Sequence, residues 1–130
     1  MRFISTRTHG VLDYLMGLLL IAAPWLLGFY RGDAETWVPV ALGLSALVYS
    51  LLTNYELGAA RVLSMRTHLM LDLMSGLLLA ASPWLFGFAE TVWAPHLILG
   101  LVEVGASLMT RRESSTEAHQ HGHTAFSHGH

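Results

Sequence analysis

His9 and Asp13 stand four residues apart in RTHGVLD, and His68 and Asp72 repeat the spacing in RTHLMLD. On a helix, that spacing puts each imidazole and its carboxylate on one face. Both pairs fall inside apolar runs, where an ionisable side chain is costly and points to a function by default. A third acid, Glu103, interrupts the last apolar run. Asp13 lies six residues past Arg7, about 9 Å along a helix, and Glu103 lies eight residues before Arg111, about 12 Å. Three carboxylates and two imidazoles at comparable depth could hold a hard or borderline divalent cation, or they could take up and release protons. They could equally hydrogen-bond one another as a satisfied interhelical clasp. Two histidines on related helices could also ligate a haem, but no other feature favours that.

A second histidine group, His119, His121, His123, His128 and His130, occupies the last twelve residues and could bind metal weakly. Other chemistry is excluded or unsupported. The chain has no cysteine, so thiolate metal sites, iron–sulfur clusters and thiol nucleophiles are ruled out. Phosphate loops and nucleophile elbows are absent, and the expectation is a protein that is not an enzyme. Seven basic residues, all arginines and none in a long run, with a net charge of −2, give no basis for nucleic-acid binding. Tyr14 and Tyr49 read as packing residues, and His96 reads as an interfacial one.

The elements that must position these groups come from a repeat. Residues 7–29 and 66–88 agree at 15 of 23 positions at an offset of 59, including Arg7/Arg66, His9/His68, Asp13/Asp72, Gly17/Gly76, Pro24/Pro83 and Trp25/Trp84. A duplicated unit of this kind fixes the architecture. With 53% hydrophobic and 12% charged residues and a mean hydropathy of +0.48, the chain has too few charges for a water-soluble surface. A secretory signal at the N-terminus is rejected, because the same segment recurs in mid-chain and Asp13 would break its apolar core. The fold expected is all-α, a four-span transmembrane bundle of two tandem helix hairpins. Its helices would cover about His9–Phe29, Trp37–Thr53, His68–Phe88 and Val92–Thr110, with Thr8 capping the first.

The expected organisation is a short segment 1–6, a first repeat 7–53, a linker 54–65, a second repeat 66–110 and a disordered tail 111–130. Six arginines (Arg2, Arg7, Arg61, Arg66, Arg111, Arg112) fall at one end of such a bundle and Arg31 alone at the other. The positive-inside rule then places both termini in the cytoplasm and the protein in the cell membrane. Trp25, Trp37, Trp84 and Trp93 fall near the opposite face, where indole rings favour the headgroup layer. Pro24–Trp25 and Pro83–Trp84 read as structural, fixing helix bend and depth.

Ser82-Pro83-Trp84 within a duplicated two-helix unit resembles the SPW repeat family of small membrane proteins, over about residues 7–110; the first copy has Ala23 in place of the serine. The resemblance implies an integral membrane protein without an established activity. The leading expectation is therefore a non-enzymatic accessory or interaction component of the lipid bilayer, alone, as a homo-oligomer or with other membrane proteins. The alternative is proton or divalent-cation binding or transport through His9, Asp13, His68, Asp72 and Glu103.

Overall fold

The computed structural model describes residues 3–112 as four helices. Helix α1 (Thr6–Leu26) and helix α3 (Met65–Leu85) have 21 residues each. Their bounds keep the offset of the repeat, so the same local signals act twice. Ser5 and Ser64 cap them, each accepting from the amide three residues on at 3.1 Å. Each cap satisfies one of the orphan donors of a first turn. The cap is thus Ser5, not Thr8; Thr8 instead accepts from the Ser5 hydroxyl at 2.9 Å. Both helices stop before a glycine with positive φ, Gly28 at 72° and Gly87 at 76°, a conformation that disfavours a Cβ.

Pro24 and Pro83 lie within the last turn. Each lacks the amide that would bond the carbonyl four residues back. In α3 the Ser82 hydroxyl donates to the freed Leu79 carbonyl at 2.7 Å. Ala23 has no hydroxyl to do the same in α1.

Helix α2 (Ala34–Leu51) has 18 residues and helix α4 (Ala94–Met109) has 16. The expectation of four transmembrane spans is corrected here. Three helices, α1, α2 and α3, are long and apolar enough to cross a membrane, as a multi-pass membrane protein requires, whereas α4 is a shorter apolar helix. At about 1.5 Å per residue, 16 residues extend roughly 24 Å against a hydrocarbon layer of about 30 Å. The apolar run overstated the helix at both ends. Trp93 serves as its N-cap, with Pro95 in the first turn, and Thr110 is already extended.

Close approach of backbones holds α1 on α2 and α3 on α4, the two most extensive contacts. Gly17 meets Gly43, and Gly76 meets Gly100. Side chains there would keep the helices apart, the usual reason for small residues at helix crossings in membranes. The halves are then joined crosswise. Thr53, just after α2, pairs with Leu63 ahead of α3, and Thr110, just after α4, pairs with Ile4 ahead of α1. The start of α1 and the end of α4 therefore lie side by side. Leu15, Leu18, Leu26, Met74 and Leu77 are at least half exposed on the outer faces, as lipid-facing side chains would be.

Candidate metal centre

His9 is the fourth residue of α1 and His68 the fourth of α3, and each is followed one turn later by its aspartate. The repeated spacing brings all four to one point. His9, Asp13, His68 and Asp72 are buried, and one ligand atom from each lies within 4.8 Å of the others. The short contacts run between the halves. His9 Nε2 is 2.5 Å from Asp72 Oδ2 but 3.0 Å from Asp13 Oδ2. His68 Nε2 meets Asp13 Oδ2 closely and is 3.2 Å from Asp72 Oδ2. The clasp within one helix, which the sequence allowed, is the longer contact in both halves.

The outer faces of the imidazoles fix their tautomers. Thr110 Oγ1 donates to the Ala106 carbonyl at 2.5 Å and lies 2.7 Å from His9 Nδ1. Thr53 Oγ1 donates to the Tyr49 carbonyl at 2.6 Å and lies 2.8 Å from His68 Nδ1. With each hydroxyl proton already committed, the oxygen must accept from the ring, so both Nδ1 atoms carry hydrogen. Both Nε2 atoms then point at carboxylate oxygens. Tyr49 donates its hydroxyl to the remaining oxygen of Asp72, Oδ1. An imidazole held through its far nitrogen by an oxygen acceptor is the arrangement that orients histidine ligands in metal sites.

Two protons satisfy this centre as it stands, one in each crossed Nε2–Oδ2 contact. A divalent cation could replace both without changing net charge, since two neutral imidazoles and two carboxylates neutralise it. Two nitrogens and two oxygens suit a four-coordinate ion such as zinc. With metal–ligand bonds of about 2.0–2.1 Å, tetrahedral ligand atoms are roughly 3.3 Å apart. The crossed contacts are shorter than that. Metal would enter by parting them by about 0.8 Å or more.

Of the other groups singled out in the sequence, Glu103 is buried on α4, within electrostatic reach of Asp72, Asp13 and His9, but outside the four-atom set. The five tail histidines lie outside the described residues. His96 is buried, whatever its depth in the bilayer. It is 1% exposed between Phe29 and Phe88, with ring centroids 4.9 and 4.8 Å away. Its Nε2 donates at 2.8 Å to the Glu35 carbonyl, which Pro39 leaves without a helical partner. Pro24 and Pro83 are buried, while Trp25 and Trp84 are about half exposed, which fits an anchoring role at the interface.

Sequence reasoning missed Thr53, Thr110 and Tyr49. The threonines had a signal, because Ser50-Leu51-Leu52-Thr53 and Ser107-Leu108-Met109-Thr110 repeat a Ser-Leu-x-Thr ending of the second helices. Tyr49 had none, because Ala106 takes its place in the other half. Thr53→Val and Thr110→Val should each weaken metal binding by about 10- to 100-fold while leaving the ion stoichiometry intact. Calorimetric titration of each variant measures this, and wild-type affinity in both would remove the threonines from the site.

The family model described as the SPW repeat domain matches residues 7–110. No curated protein and no solved structure matches the chain significantly.

Proposed function

We propose, from the premise that this chain belongs to the SPW repeat domain family, that it is a membrane protein binding a divalent transition metal ion in exchange for two protons. The observation that carries this reading is the convergence of His9, Asp13, His68 and Asp72 within 4.8 Å, with both imidazoles presenting Nε2 inward. The cluster supports ion binding better than a purely accessory role, because a scaffold has no need of four ionisable side chains at one buried point. The exchange keeps the site neutral in both states, which lowers the cost of burial in a low-dielectric interior. Burial within electrostatic reach of Asp72, Asp13 and His9 supports Glu103 as the group that takes up a released proton. We read the role as non-enzymatic, since the four side chains at the centre pair with one another and the sequence carries no nucleophile-elbow or thiol motif.

The described arginines Arg7, Arg61, Arg66, Arg111 and Arg112 flank the end of the bundle where α1 begins and α4 finishes, and Arg31 lies at the other. By the positive-inside rule the arginine-rich end faces the cytoplasm.

The test uses full-length protein with His119, His121, His123, His128 and His130 changed to serine, so that tail affinity does not mask the centre. Titration with Zn²⁺ or Co²⁺ should show one ion per chain and release of two protons. Apparent affinity should fall by about 100-fold for each unit of pH decrease over the range in which the centre holds its protons. The Asp13→Asn/Asp72→Asn variant should lose that ion. In proteoliposomes, any metal flux should move protons the opposite way and ignore the membrane potential. If the two proteins bind equal amounts of metal, the metal reading fails and only a proton-sharing clasp is left.

A further inference from the structure

The two halves differ at their arginine-rich end in a way that the repeat makes measurable. In the first half, the linker after α2 folds back over the start of α1. A Cβ on Gly10 would fall 2.6 Å from Tyr55 Cε2 and 2.7 Å from Leu57 Cδ1, so these two side chains fill that surface. Tyr14 closes it further by donating to the Leu57 carbonyl at 2.8 Å. Thr53 and Thr110 occupy equivalent places, pairing with Leu63 and Ile4, and this sets the correspondence between the two segments that leave them. Arg112 then stands where the first half has Tyr55. Leu69 replaces Gly10, and Leu73 replaces Tyr14.

The second half therefore keeps a groove of about 390 Å³ between α3 and α4, lined by Leu69, Met70, Leu73 and Leu108, with Arg66 and Arg112 among its walls. Among the described residues neither guanidinium meets a carboxylate. The cationic groups stand at one end of a helix long enough to cross a membrane, where phosphate headgroups lie, and the leucines continue toward the acyl layer. Arginine matches phosphate through its planar fork of donors.

We infer that this groove seats an anionic phospholipid, its phosphate held by Arg66 and Arg112 and an acyl chain lying along Met70, Leu73 and Leu108. This site is independent of the buried histidine centre.

Native mass spectrometry of the full chain tests it, after reconstitution in vesicles of phosphatidylglycerol and phosphatidylcholine with identical acyl chains. Wild-type protein should retain one phosphatidylglycerol with a preference on the order of tenfold. Arg66→Gln/Arg112→Gln should bring the preference to about one, and Arg31→Gln, at the other end, should leave it unchanged. Leu73→Trp, which fills the groove, should lower retention of both lipids. Equal retention of the two lipids by wild type, or an unchanged preference in the double arginine variant, would overturn the assignment. So would retention that appears only in Glu113→Gln/Glu117→Gln, because the chain's own tail would then be the occupant.

Discussion

Asp72→Ala should destabilise the folded protein by about 3–5 kcal/mol, more than Asp13→Ala, although the two aspartates come from equivalent positions of the repeat. Asp72 faces His9 at 2.5 Å and His68 at 3.2 Å and also accepts the Tyr49 hydroxyl. Its loss leaves the buried Tyr49 phenol with no acceptor and both imidazoles competing for Asp13 alone, and the cost of such orphaned groups exceeds the value of the bonds themselves. Asp13 has no phenol hung on it, because Ala106 stands where Tyr49 does. Unfolding titrations in mixed micelles would measure both. Pairing across the halves also sets the coupling. A double-mutant cycle of His9 with Asp72 should give an interaction of about 1–3 kcal/mol, larger than that of His9 with Asp13. If the neighbour within the helix proved the stronger partner, the crossed arrangement would be wrong.

Gly100→Ala should cost about 2–3 kcal/mol, the ordinary penalty for overfilling a tight contact. A Cβ there would lie 2.5 Å from the Ala80 amide nitrogen, 2.6 Å from the Gly76 carbonyl oxygen and 2.8 Å from Ala80 Cα. All three are backbone atoms of α3 and cannot swing aside, so α4 must move outward as a body. Thr110 moves with it, and the oriented hydroxyl at His9 Nδ1 goes too. The same substitution at Gly105 meets nothing within 4 Å and should gain up to about 1 kcal/mol from helix propensity. Equal thermal midpoints for the two variants would show that backbone contact between α3 and α4 does not limit stability.

Much of this arrangement could be read from residue order alone. The repeated His-x-x-x-Asp spacing located the centre because it depends only on helical periodicity. The crossed pairing was not legible, because it depends on how the two hairpins face each other, which no local pattern encodes. The enclosure of His96 was not legible for a related reason. Its position near a helix start suggested headgroups, but Phe29, Phe88 and the carbonyl freed by Pro39 enclose it. The length of α4 was overestimated because hydropathy continues through Trp93 and Thr110, whereas the helix itself yields to a proline at one end and a strand-like pairing at the other.

His9 draws its acceptors, Asp72 and Thr110, from the far half of the chain, and His68 draws Asp13 and Thr53 the same way. Neither hairpin is self-sufficient, so a polypeptide carrying one alone would have to meet a second molecule to build the pocket, and its two sides would be chemically identical. Joining both on one chain removes that dependence on concentration. It also lets the sides diverge, with Tyr49 on one flank where the other has Ala106, and Glu103 on the other where the first has Ala46.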